Sequence, residues 1–203
     1  MSSLLIFGAG GHGRVVADAA LAAGQWLRVL ASDRDPERCN GELLTGVPLL
    51  PAYAATATAG AIHVAIGNGA NRAKEVAALP PGLLATVVHP QASVSRHARL
   101  GPGCFVAAQA VVGPSAAVGV SVIVNHGAVV DHDVRVGDFS HIAPLAALGG
   151  GAQLGRRVLV GSGASVLPGV RIGDDVVIGA GAVVAHDLPE AGTYAGVPAR
   201  RMK

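Results

Sequence analysis

Counting in sixes from Val88 to Val184, every position carries Val, Ile or Leu, through seventeen successive hexads without a slip. If apolar residues fell at random with a probability of about one half, such a run would be rarer than about one in a hundred thousand. A period of six belongs neither to a 3.6-residue helix nor to a hairpin sheet, but it suits a chain that turns a corner after each short strand. Three such sides close a triangle. One turn then takes about 18 residues, and turns stack at roughly 4.8 Å in parallel ladders, about six of them in all. The aliphatic residue points inward, together with the small residue four places on, as at Ala110, Ala116, Val134, Ala164 and Val176. Glycine often follows the aliphatic residue, as at Gly101, Gly137 and Gly149, and is expected at the corners for a positive φ or for close backbone approach.

The composition agrees with a core of small, regularly packed side chains, because aromatics make up only 3% of the chain while 29 residues are glycine. The net charge of +2 comes without a basic run, so neither nucleic acid nor an anionic membrane surface is expected as a partner. Leu4 to Phe7 pass at once into a glycine cluster, and no apolar run reaches the roughly 18 residues of a membrane helix. A cytoplasmic location is expected. Cys39 and Cys104 lie in different segments without metal-ligand spacing and read as reduced structural thiols.

Residues 1–87 have another character. A strand (3–7), the turn GAGGHG, an alanine-rich helix (14–23) and a strand (26–31) form a βαβ opening. A third strand (61–66) runs into GNGANR and a helix (71–79), and a short strand (84–88) leads into the repeats. Gly8, Gly10 and Gly13 have the G-x-G-x-x-G spacing, and Asp33 stands where a ribose-binding acid is placed in dinucleotide folds. Some 87 residues supply only half of a doubly wound domain, however, and nothing later supplies a hydride acceptor site. A mononucleotide or its diphosphate needs one glycine turn and one helix N-terminus; a turn that is merely structural is the alternative. The expected organisation is a small α/β Rossmann-like domain (1–87) that binds a nucleotide or its diphosphate, followed by a β-helix of hexapeptide repeats with a C-terminal tail (88–203).

The aliphatic–Gly–x–x–small pattern resembles the hexapeptide-repeat acyltransferases. With GAGGHG, AIGNGANR, VVDHDVRVGDFSHIAP and the closing GVPARRMK, the chain resembles, nearly end to end, the nucleotide-amino-sugar N-acetyltransferases of bacterial glycan biosynthesis and their relatives, the sialic acid O-acetyltransferases. The resemblance implies a left-handed twist for the β-helix, a homotrimer, and active sites between neighbouring prisms. It implies that His132 is the general base and that Asp133 raises its basicity. His141, Gly150 and Ser162 would contact acetyl-coenzyme A, the co-substrate. Gly10, Gly11 and His12 would meet the phosphates, Ser32 and Asp33 the base and ribose, and Gly67 and Asn125 the remainder of the substrate, a nucleotide-linked amino sugar such as a UDP-4-amino-4,6-dideoxy sugar. Sugar O-acetylation is the alternative with the same groups.

The hexad frame bears on this by itself. His132 is two places after Val130, an outward position, and one turn further lies Gly150 within Gly149–Gly151. An exposed histidine beside a bare patch leaves room for a thioester arm. His126 and His186 are also outward and read as surface residues, His126 being the next candidate for the base; His63, His89 and His97 receive no role. No Ser or Cys is placed as a nucleophile, so direct attack without an acyl-enzyme or a metal is expected. A small-molecule acetyltransferase would give the glycine-rich front domain no purpose, and a metal-binding prism would need histidines that converge.

Overall fold

The computed structural model describes residues 2–52, 54–55 and 59–202; the closing Lys203 of GVPARRMK lies outside them. The chain divides into two compact units, Met1–Pro90 and Gln91–Lys203.

In the first unit, β1 (Ser3–Phe7) is central in a parallel sheet of order β2-β1-β5, with β2 at Arg28–Ser32 and β5 at Ala61–Val64. A central parallel strand is covered on both faces and so reads as an unbroken apolar run; Leu4, Leu5 and Ile6 are buried accordingly. Helix α1 (Gly11–Ala23) buries Val16, Ala17, Ala19 and Ala20, and it stops at Gly24 in the left-handed region, whose N–H donates to the Leu21 carbonyl. Helix α2 (Gly69–Ala77) starts from Asn68, whose side chain accepts the Asn71 N–H. A hairpin of β3 (Glu42–Leu44) and β4 (Val47–Pro48) follows β2.

Several boundaries differ from the sequence expectation. α1 begins at Gly11 rather than at residue 14, so the glycine turn itself forms the first helical turn. α2 is Gly69–Ala77 rather than 71–79, because Asn68 caps it earlier. β2 ends at Ser32 and β5 at Val64, and of the last strand before the repeats only β6 (Val87–Val88) is regular. The hairpin was not foreseen; its strands of three and two residues are too short to show a period.

The second unit is a left-handed parallel β-helix of about six turns preceded by the small α/β domain. The handedness is notable because parallel β-crossovers are otherwise almost always right-handed. Successive turns pair in register eighteen residues apart, as in Val111↔Val129, Ala117↔Arg135 and Ile123↔His141, one pair for each of the three faces. The aliphatic positions from Val106 to Val184 are all buried, and so are the small ones, Ala110, Ala116, Ala128, Val134, Ala146 and Ala164 among them. The corner geometry decides between the two roles expected of these glycines. Every sixth residue from Gly103 to Gly181 has a positive φ, and these residues stand three places after the aliphatic residue, not next to it. The glycine directly after the aliphatic residue serves close approach instead: a Cβ on Gly137 would overlap the Gly155 carbonyl one turn on. Asp133, with φ 60°, is one of the left-handed corner residues, a position that Asp and Asn tolerate better than most residues.

Candidate functional site

In the first unit a cleft of about 420 Å³ opens where the sheet ends meet the start of α1. Its glycines divide by function. Gly8 has φ 121°, and a Cβ there would come 2.8 Å from the Ala65 carbonyl oxygen; a Cβ on Gly13 would overlap the Gly8 carbonyl. Those two hold the turn together. Gly10 and Gly11 have nothing within 4 Å of the place a Cβ would take, and both line the cleft. No side chain caps the N-terminus of α1 and its first turn holds no acid, so the positive end of the helix dipole faces the cleft.

Asp33 lines the cleft and also braces it, since its Oδ2 accepts the Ala9 N–H at 2.7 Å and its Oδ1 the Asp35 N–H at 3.0 Å. His12 and Gly67 are part of the lining too. The buried Arg72 donates from Nη1 to the carbonyls of Ile66 and Gly67, at 2.5 and 3.0 Å, and so fixes the wall after β5. Ser32 departs from its expected place. It is fully buried, its hydroxyl 3.9 Å from Cys39 Sγ, and it does not line the cleft; as the last residue of β2 it faces away from the side that Asp33 takes, by the alternation of a strand. The sequence reading missed Arg34, Arg38, Asn71 and Glu75, which complete the lining. Arg34 and Arg38, one and five places after Asp33, and the spacing of four between Asn71 and Glu75 on a helix were the available signals.

In the second unit His132 sits on the corner after Val129–Val130, its side chain 58% exposed. Its Nδ1 lies 2.8 Å from Asp133 Oδ2, and its backbone N–H donates to Asp131 Oδ1 at 2.7 Å. The hydrogen bond to Asp133, then the charge of Asp131, raise its pKa above the usual 6.5. Asp131 was not anticipated, although it stands just before His132. With Nδ1 tied to the carboxylate, Nε2 is the nitrogen left for chemistry. A Cβ on Gly150 would overlap Nε2 and Cε1, so the imidazole lies directly over that bare residue.

Asn125 and His141 are hydrogen-bonded to each other, Nδ2 to Nε2 at 3.1 Å, and the Asn125 Oδ1 accepts the His126 N–H. Asn125 is on the corner that precedes Val129–Val130, and Ser162, exposed, is on the same corner two turns beyond His126. The expected residues of the prism thus fall on two successive corners: Asn125 and Ser162, with His141 bonded to Asn125, on one, and His132, Asp133 and Gly150 on the next. Among the described residues no group of three His, Cys, Asp or Glu could hold a metal ion, and no helix is long and apolar enough to cross a membrane.

Residues 3–79 match the family described as the PglD N-terminal domain, and residues 151–186 match the bacterial transferase hexapeptide, six repeats. The chain is similar to the acetyltransferase domain of PglB from Neisseria gonorrhoeae FA1090, at 36% identity over 100% of both chains with a TM-score of 0.90; that domain is also known in complex with acetyl coenzyme A. It is similar to a point mutant of GDP-perosamine N-acetyl transferase from Caulobacter crescentus in complex with CoA and GDP-perosamine, at 36% identity over 100% of this chain and 98% of that chain, with a TM-score of 0.92. WeeI from Acinetobacter baumannii AYE shares the fold at 21% identity over 100% of both chains, with a TM-score of 0.67.

Proposed function

We propose that this chain, which belongs to the hexapeptide-repeat N-acetyltransferases of nucleotide-linked amino sugars, moves the acetyl group of acetyl-coenzyme A to the amino group of a sugar carried on a nucleoside diphosphate. The observation that carries the reading is the His132–Asp133 pair over Gly150, an oriented base beside an uncluttered backbone. The neutral amine attacks the thioester carbonyl while His132 Nε2 takes its proton, Nδ1–H remaining on Asp133. Collapse of the tetrahedral intermediate breaks the C–S bond, and the proton on Nε2 passes to the departing coenzyme A thiolate. No side chain is acylated. The helix N-terminus at Gly10 and Gly11, with Arg34 and Arg38, suits the diphosphate. Ser32 supports the cleft from behind and leaves Asp33 as the acid toward the ribose.

The active enzyme is a homotrimer in this reading, because the two corners that carry the site residues are brought together when a second copy supplies the neighbouring one. It works in the cytoplasm, on glycan precursors. The functional division runs with the chain, nucleotide sugar at 1–87 and acetyl transfer at 88–203.

The test is incubation with acetyl-coenzyme A and GDP-, UDP- and dTDP-linked 4-amino sugars, with the product read by mass and its acetyl site by NMR. An N-acetylated sugar is expected; no acetyl transfer to any amino sugar overturns the reading. Because Gly11 meets no neighbour, Gly11→Leu is expected to fold and to fill the cleft. The KM for the nucleotide sugar should rise by about tenfold or more, while that for acetyl-coenzyme A stays nearly the same. Equal effects on both would place the sugar elsewhere. Gly150→Ala is expected to displace the imidazole and lower kcat by about tenfold, since small misplacements of a reacting group are costly. An unchanged kcat would mean that the ring works from another position.

A further inference from the structure

We propose that the cleft of the first unit selects guanine, with Glu75 and Asn71 reading its edge, so that the substrate is a guanosine diphosphate sugar. This rests on the reading of the cleft as a nucleoside diphosphate site. Asn71 and Glu75 are four residues apart on α2, one helical turn on one face, and both line the cleft. Opposite stands Arg34, just past the end of β2, ion-paired to Glu75 across the opening. The pair is lopsided: the Glu75 side chain is 15% exposed and that of Arg34 75%. The carboxylate is therefore the fixed partner inside the cleft, and the guanidinium reaches in from solvent. Such a pair is weakly held on its exposed side, and a ligand that offers the carboxylate better donors can replace it.

The chemistry of the two side chains distinguishes the bases. A carboxylate only accepts, with two oxygens side by side, and a carboxamide also donates. Guanine presents an N1–H and an N2–H₂ donor beside the O6 acceptor, which matches two carboxylate oxygens beside a carboxamide N–H₂. Uracil and thymine present one N–H between two carbonyls, so one carboxylate oxygen would face a carbonyl lone pair. Adenine puts the N1 acceptor where a donor is wanted. A buried polar group left without its partner in this way weakens the wrong ligand more than a lost apolar contact would. Arg34, once released, stays at the rim of the cleft, where its charge suits the diphosphate.

Titration calorimetry of the full chain with GDP, UDP, dTDP and ADP tests the assignment. GDP is expected to bind at least about tenfold more tightly than the other three. Glu75→Gln, which puts an N–H₂ against the guanine donors, is expected to remove that preference, chiefly by weakening GDP. Arg34→Ala breaks the same ion pair but keeps the carboxylate, and it should preserve the preference. A cooperative urea transition followed by the fluorescence of Trp26, which belongs to the same unit, shows that each variant is folded. UDP or dTDP binding as tightly as GDP, or a preference that survives Glu75→Gln in a folded protein, overturns the proposal while leaving the nucleotide reading of the cleft in place. If none of the four nucleotides binds, that reading falls, and this proposal with it.

Discussion

His132→Ala is expected to lower turnover by about 10² to 10⁴-fold at saturating substrates, the usual worth of a positioned base, and to leave the melting temperature at the wild-type value. The two halves of the expectation have separate origins. The imidazole stands on the outside of the prism, more than half exposed, while the ladder beneath it is carried by Val130 and Val134, both fully buried; truncation of such a surface side chain leaves the packing untouched. The pH dependence identifies the group. Only the neutral imidazole can take the proton from the amine, so activity rises with pH through the pKa of His132, which Asp133 and then Asp131 hold above its ordinary value. In Asp133→Asn the imidazole loses the stronger of these influences and its pKa falls, so the acidic limb of the kcat/KM profile moves to lower pH. Asn suits the left-handed corner as well as Asp does, which confines the change to charge. Asp131→Asn should move the limb the same way by less. A limb that stays in place in Asp133→Asn, or more than about a tenth of wild-type turnover in His132→Ala, would assign the proton to another group, and His126 on the preceding corner would be the first to test.

The prism was legible in the sequence because a hexad frame is a complete description of it: once Val130 faces inward, His132 must face outward and Gly150 must lie one turn further on. A single frame fixes register, burial and neighbours together, and the imidazole is found over Gly150. What the frame could not say was which backbone conformation makes the corner. Positive φ falls on Gln109, Ser115, Phe139 and Leu145 as well as on glycines, so residue type did not mark it; position within the repeat overrode local preference. The front unit was legible in its order of elements and less so in its site. Gly10 and Gly11 could be placed from the glycine turn, but Ser32 could not be separated from Asp33, because one step along a strand changes the side of the sheet and the end of β2 was misplaced by one residue. Arg34 and Arg38 follow Asp33 closely and Asn71 and Glu75 share a helix face, but that the segment after β2 meets α2 across the cleft, as in the Arg34–Glu75 ion pair, is a tertiary juxtaposition that those spacings do not announce.

His63 is the residue to which sequence gave no role and to which the structure gives a large effect on stability. It lies on β5, completely buried, with Nδ1 2.9 Å from the Ala85 carbonyl oxygen, and it is therefore a neutral imidazole that donates Nδ1–H. Burial, and to a lesser degree the charge of Arg72, push its pKa down from 6.5 to about 4. In the unfolded chain the same side chain titrates near 6.5. Between these values the unfolded state binds a proton that the folded state does not, so stability is full above about pH 6.5 and falls as pH is lowered toward 4. At about 1.36 kcal/mol per pH unit, roughly 2 kcal/mol is lost by pH 5, where ordinary carboxylates are still largely ionised, and about 3 kcal/mol by pH 4. Trp26, the one tryptophan of the chain, belongs to the same unit, so urea unfolding followed by its fluorescence reports on this unit. His63→Asn keeps an N–H for Ala85 and removes the titration. It should be less stable than the wild type at pH 7.5 because it fills less of the core, yet lose about 2 kcal/mol less on going to pH 5. Parallel pH slopes in the two proteins would mean that His63 accepts its proton within the fold, and the buried neutral imidazole assigned to β5 would be wrong.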